Sequence, residues 1–213
     1  DLHLCVHSFP TRRSSDLPNG DRPPLVFDSV DQSLESVAAY VRDLESYQLL
    51  SHSAGALIAQ ALDGAANHVY LSPWWGYGDA FPEPVLEAVS LVPTTFPCLP
   101  VGGMDREALG ERATDHQLAT LPSWVSPAFV RETRRAQQEL LTIDHDAVVF
   151  CSLRDPVIDL EPIGERVPAE HVVLYDGGHE LFSATTRDRY VQLLLDALEE
   201  GSPAVEERPS VPA

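Results

Sequence analysis

The sequence predicts an α/β fold with a mostly parallel, open sheet and flanking helices. Three observations lead there. Short apolar runs of strand composition alternate with segments of helical periodicity between Leu34 and Leu198, the order that builds a parallel sheet. The run Ala147 to Ser152 has the composition of a strand buried on both faces. Three polar segments each follow a strand candidate, at the edge where open α/β sheets place ligands.

Taken in order, Leu25-Val26-Phe27 is a short apolar run after Pro23-Pro24, either a strand or an extended loop. Leu34, Val37, Ala38, Val41 and Leu44 recur at helical spacing, with Glu35, Arg42, Asp43 and Glu45 opposite. Asp31 or Ser33 can cap that helix. Tyr47 to Leu50 is a strand candidate running into Ser51-His52-Ser53-Ala54-Gly55; a helix follows from Ala54 to Leu62 and stops at Asp63-Gly64. His68 to Ser72 reads as a strand. The stretch 73–125 holds seven Pro and all three Trp with little periodicity, so an irregular lid or binding insertion is expected. Ser126-Pro127 supplies the cap and first-turn Pro of a helix to about Leu141. Ala147 to Ser152 and His171 to Tyr175 are strands. A last helix spans about Arg187 to Leu198, with Tyr190, Val191, Leu194, Leu195 and Leu198 on one face. Residues 201–213 carry three Pro and no core, and read as a disordered tail.

Charge excludes several function classes. The 213 residues carry 33 Asp+Glu against 14 Lys+Arg, a net charge of −19, and every base is Arg. Nucleic acid and anionic membranes both require basic patches, so neither is an expected partner. No apolar run reaches the roughly 20 residues of a membrane span. Cys5, Cys98 and Cys151 lack metal-site spacing and are too few for a disulfide scaffold. At molar salt the Debye length falls to about 3 Å, so self-repulsion costs little and carboxylates can hold water and cations at the surface. The composition therefore resembles that of a cytoplasmic protein from a salt-accumulating, halophilic archaeon; a GC-rich genome would also favour Arg over Lys.

Residues 1–17, DLHLCVHSFPTRRSSDL, resemble a translated sequencing adapter, read in one frame around a short index at Leu4-Cys5-Val6. They are set aside as non-native, and the remaining net charge is unchanged because two acids and two bases leave together.

Three segments carry chemistry. In Leu49-Leu50-Ser51-His52-Ser53-Ala54-Gly55, a strand, a small-residue turn and a helix place Ser53 on a sharp corner beside a positive helix N-terminus. The Ala54 N–H can help hold an oxyanion. The pattern is G-x-S-x-G with Ser51 in place of the first Gly; a plain helix cap reads similarly. In Phe150-Cys151-Ser152-Leu153-Arg154-Asp155-Pro156-Val157, Asp155 suits an orienting carboxylate, with an Asx-type turn as the alternative and Asp159 as a competitor. In Tyr175-Asp176-Gly177-Gly178-His179-Glu180-Leu181-Phe182, two Gly let a tight loop present His179 at the sheet edge, where a surface His on a turn would look alike.

The order Ser, Asp, His, each after its own strand, resembles the α/β-hydrolase fold family, through S-H-S-A-G, L-R-D-P-V-I and G-G-H-E-L-F. The resemblance covers about Pro18 to Leu198 and is weakest over 73–125, where that family inserts its cap. It implies Ser53 as nucleophile, Asp155 as acid and His179 as base of a serine hydrolase acting on an ester or related acyl bond. Ser at the elbow, where the dehalogenase and epoxide-hydrolase branches carry a carboxylate, argues against those branches. The alternative is a non-catalytic binding protein of the same fold. A chance set of motifs would leave the three side chains more than about 6 Å apart.

In the family the second oxyanion N–H comes from a loop after an early strand. The early strands have no candidate before Pro18, so residues 18–200 read as a partial domain. The polypeptide as written is expected to be inactive and aggregation-prone, with one sheet edge unpaired.

His52, Trp74 and Trp75 are candidates for the substrate pocket. Asp144-His145-Asp146 reads as a solvated loop, His68 and His171 as strand-edge positions, and Cys151 as buried and inert. No Gly-rich phosphate loop follows a strand, so no nucleotide role is expected; no metal and no other cofactor is expected either. The implied partner is a small-molecule acyl substrate, and nothing in the sequence fixes an oligomeric state.

Overall fold

A computed structural model describes residues 3–6, 30–78, 81–101, 104–143 and 146–206. The Leu25–Phe27 run, Asp144, His145 and the tail beyond Glu206 lie outside the described residues. Among those described, a five-stranded sheet is parallel throughout: β1 (His3–Val6), β2 (Tyr47–His52), β3 (Ala65–Leu71), β6 (Val148–Cys151) and β7 (Val172–Leu174), in spatial order 1-2-3-6-7. Parallel neighbours require helical crossovers, and these cover both faces.

The period of two along each strand divides the core. Val69 and Leu71 of β3 with Val148 and Phe150 of β6 face α8 (Val191–Glu200). Tyr70, Val149 and Cys151 point the other way, into a larger cluster with α1 (Val30–Val41), α2 (Ala56–Ala59), α6 (Pro127–Gln138) and α7 (Glu161–Arg166). All four β6 residues are buried, as its composition predicts. The α1 stripe packs as its spacing requires: Val41 is buried, and Leu34, Val37, Ala38 and Leu44 lie against the same cluster.

Several expectations need correction. The helix α1 begins at Val30, so Asp31 is not its cap but sits in the first turn and pairs with Arg135 of α6 at 3.1 Å. The buried face of α8 comprises Leu193, Leu194, Ala197 and Leu198 with the preceding Tyr190, whereas Leu195 is exposed. That set follows the i, i+3, i+4, i+7, i+8 pattern. His68 lies within β3 and bonds the Tyr70 hydroxyl at 3.0 Å. His171 is buried and meets Glu206 at 3.2 Å.

That contact belongs to a further difference. Residues 201–206 are not a tail: Pro203–Glu206 forms helix α9, with Ser202 and Val205 buried. The Asn67 amide reaches from β3 to the Leu198 and Glu199 carbonyls, capping the end of α8, and Gly201 turns the chain with φ +73°. Two small apolar residues, Ala204 and Val205, are too little sequence signal to reveal a four-residue helix.

The backbone of His3–Val6 pairs with β2 in parallel, Val6 opposite Ser51, so among the described residues the edge expected to be open is covered. An unpaired strand edge is a template for any short apolar segment, and His-Leu-Cys-Val is one.

The insertion is also more ordered than its composition indicates. It contains α3 (Glu83–Ser90), α4 (Arg106–Leu109), α5 (Asp115–Thr120) and an antiparallel pair, β4 (Leu99–Pro100) with β5 (Trp124–Val125). These elements are shorter than the window in which periodicity shows. Their caps are legible locally: Asp105 accepts from Ala108 N at 2.8 Å, and Thr114 and Gln117 form a capping box. No helix among the described residues is long and apolar enough to cross a membrane.

Candidate active site

Ser53 follows the last residue of β2 and opens a 3-10 turn, Ser53–Gly55, that leads into α2. Its φ is +54°, a left-handed value that costs a non-glycine residue about 1–3 kcal/mol and persists only where surroundings enforce it. Part of that enforcement is a bond from Trp74 N to the Ser53 carbonyl at 3.1 Å. The corner carries Oγ out of the strand line. Ala54 stands at the start of the helical segment, where N–H groups have no intrahelical acceptor. Ser51, in the position of the expected Gly, is fully buried with an unpartnered Oγ.

His179 Nε2 lies 2.9 Å from Ser53 Oγ, and its Nδ1 lies 2.7 Å from Asp155 Oδ2. The Asp155 side chain is fully buried and that of His179 nearly so. The other Asp155 oxygen, Oδ1, accepts from Val157 N at 2.9 Å, closing an Asx turn. The turn and the contact with His179 thus use different oxygens of one carboxylate. Asp159, the competitor, instead accepts from Glu161 N at 3.0 Å.

The backbone of the histidine loop is fixed from several sides. The His179 carbonyl accepts from the Tyr175 hydroxyl and from His52 Nε2, each at 3.2 Å, and its N–H donates to Ala108 O at 2.8 Å. Ser152 Oγ donates to Gly177 O at 2.5 Å, tying the loop to the end of β6. Gly178 is required by close approach: a Cβ there would sit 2.4 Å from Ala108 O.

Comparison with solved structures returns proteins of this architecture. One is a monoacylglycerol lipase of Paleococcus ferrophilus, with TM-score 0.68 and 14% identity over 92% of this chain and 93% of that one. Another is a soluble variant of monoglyceride lipase from Saccharomyces cerevisiae, with TM-score 0.55 and 13% identity over 80% and 66%. A third comes from work on the metagenome-derived lipolytic enzymes LipS and LipT, with TM-score 0.57 and 14% identity over 81% and 74%. The chain has the α/β-hydrolase fold. No family model and no curated protein matches the chain.

Within this α/β-hydrolase fold the remaining candidates take different places. Trp75 is buried, its ring 5.0 Å from that of Tyr70 in the larger core. Trp74 stacks edge-on with Tyr77 at 4.7 Å, and its backbone touches the Ser53 turn. His52 stacks obliquely on His179, with ring centroids 4.8 Å apart. A cavity of about 430 Å³ is lined by Gly76, Tyr77, Phe81, Arg134, Gln137 and Asp159, among others, and by none of Ser53, Asp155 or His179. Sequence reasoning missed the supports: Tyr175, Ser152 and the Ala108 carbonyl. Tyr175 and Ser152 flank the quoted motifs, yet only the fold aims their hydroxyls at the loop.

Cys151 is buried beside the site, and desolvation, with the Asp155 charge second, pushes its thiol up to about 12. Its reactive thiolate is therefore scarce at neutral pH, whereas Cys98 is exposed. Iodoacetamide at pH 8 is expected to alkylate Cys98 in the native chain and Cys151 only after unfolding, read by peptide mass mapping.

Proposed function

We propose that this chain is a serine hydrolase that cleaves a carboxylic ester or related acyl bond through an acyl-enzyme. The observation that carries the proposal is His179, placed between Ser53 Oγ and Asp155 Oδ2. A carboxylate only accepts, so Asp155 fixes the proton on Nδ1 and leaves the Nε2 lone pair for the Ser53 hydroxyl. Ser53 Oγ attacks the carbonyl carbon while its proton passes to Nε2. The Ala54 N–H stabilises the oxygen that becomes negative. Nε2 then protonates the leaving alcohol as the C–O bond breaks, and water repeats the sequence to release the acid. Asp155 stabilises the imidazolium in both halves.

Two of the neighbours named above are lipases of monoacylglycerols, so a monoacylglycerol is the first natural ester to try. The Ala54 N–H is the oxyanion donor of this reading, and one such donor is worth about 10²–10³ in rate. A single-turnover readout tests acylation directly. Acid quenching after exposure to p-nitrophenyl acetate is expected to show one acetyl group on the peptide containing Ser53, by intact mass and mapping. A protein that binds the ester and never becomes acylated would be a binding module instead.

We also read the lysine-free, acidic surface as that of a cytoplasmic protein from a salt-accumulating cell. Its unfolding midpoint is expected to rise as KCl increases from about 0.1 M to molar levels, as screening relieves the −19 charge. A midpoint that falls or stays flat in a thermal melt would contradict that reading.

A further inference from the structure

The insertion and the histidine loop are joined by main chain. Besides the His179 N–H on Ala108 O, Glu180 N donates to Leu109 O at 2.8 Å and Arg112 N donates to Ser183 O at 2.7 Å. The end of α4 and the turn after it therefore dock on the histidine loop through main chain. The approach is as close as backbones allow. Gly178 has no room for a Cβ, and a Cβ on Gly110, whose φ is +149°, would meet Ser183 at 2.7 Å. Leu109 between them is buried.

Side chains extend the connection to the acid loop. Glu111 accepts from Arg154 at 3.2 Å and from Thr185 N at 3.4 Å, and Arg154 also meets Asp176 at 2.7 Å. Hydrogen bonding from its own backbone N–H, reinforced by Thr185 and Arg154, holds the Glu111 carboxyl below its ordinary range. These ion pairs are half exposed and contribute little alone. Their value is to bring the insertion, the Asp155 loop and the His179 loop together at one point.

We propose that the segment Asp105–Arg112 is a positioning element for His179: it fixes the imidazole against Ser53 and Asp155 and does not swing away as a lid. The inference rests on the serine-hydrolase reading only for its consequence in rate; the geometry it invokes stands by itself. A group that misplaces a catalytic side chain by about 1 Å can cost up to 10²-fold in rate without touching substrate. Motion that admits substrate then belongs to other parts of the insertion, since lifting α4 would pull on the His179 N–H.

The test uses the helix cap. Asp105 is exposed and closes α4 by accepting from Ala108 N. Asp105→Ala removes that cap and frays a four-residue helix, whereas Asp105→Asn keeps a capping side chain. Gly110→Ala forces the segment off Ser183 directly. Two readouts apply to each variant of the 213-residue chain. One is the rate of labelling by a fluorophosphonate, separated into its maximal rate and its half-saturation concentration. The other is the low-field proton resonance of the His179 Nδ1–H bonded to Asp155, assigned by its loss in His179→Ala. Asp105→Ala is expected to lower the maximal rate about tenfold at unchanged half-saturation, and to broaden the resonance. Asp105→Asn is expected to restore both, and Gly110→Ala to exceed Asp105→Ala. If Gly110→Ala does not fold, the two Asp105 variants carry the comparison. Wild-type rate and an undisturbed resonance in Asp105→Ala would overturn the proposal. Absence of labelling in the unmodified chain would instead strike the serine-hydrolase reading, and the resonance would still decide this one.

Discussion

Ser53→Ala is expected to abolish covalent labelling and to lower any ester hydrolysis by about 10⁴–10⁶-fold. The residual rate would come from binding and the Ala54 N–H, neither of which needs the hydroxyl. The same position should reveal a conflict between function and stability. Ser53 is held at φ +54°, where a Cβ is unfavourable. Ser53→Gly removes that strain and is expected to raise the unfolding free energy by about 1 kcal/mol, offset in part by glycine's greater freedom when unfolded. An inactive glycine variant that melts above the parent would show that the corner is kept for chemistry. A glycine variant that melts well below it would mean that φ +54° is no burden here.

Asp155→Asn is expected to reduce the acylation rate by about 10⁴-fold with little loss of structure. The geometry explains why so small a change should matter. Oδ1 is committed to the Val157 N–H, and only an acceptor can stand there. An asparagine must therefore keep its oxygen toward Val157 and turn its NH₂ toward His179 Nδ1. Facing a donor, Nδ1 has to become the acceptor, which moves the ring proton to Nε2. The nitrogen 2.9 Å from Ser53 Oγ then cannot accept the hydroxyl proton. Asp159→Asn is the matched control. Its carboxylate closes a turn on Glu161 N, and its loss should leave acylation within about twofold of the parent, as surface changes away from a site usually do. Equal losses in the two variants would contradict the assignment of Asp155.

The reach of the sequence can be judged from particular residues. Strand β6 was legible because its apolar run is rich in β-branched and aromatic residues and too short for a helix. The Ser53, Asp155 and His179 loops were legible because each needs turn residues after a strand, and turn chemistry is local. The insertion was not legible as helices, because α4 and α5 span four and six residues and show as caps rather than stripes. The order of the candidates in the chain also gave no hint that Ala108 would touch His179, since that contact is made by main chain and carries no side-chain signature. Distance along the chain hid the C-terminal helix α9, whose Glu206 meets the side chain of His171. Trp75 shows the opposite error. A large aromatic near a motif reads equally as wall or core, and only packing against Tyr70 places it in the core.

The most direct measurement is the mass of the 213-residue chain after prolonged exposure to a fluorophosphonate, with the modified peptide identified. Ser53 being the nucleophile predicts a single adduct, located at Ser53, absent in Ser53→Ala and strongly slowed in His179→Ala. No adduct on the folded chain, or an adduct that persists in Ser53→Ala, would contradict it.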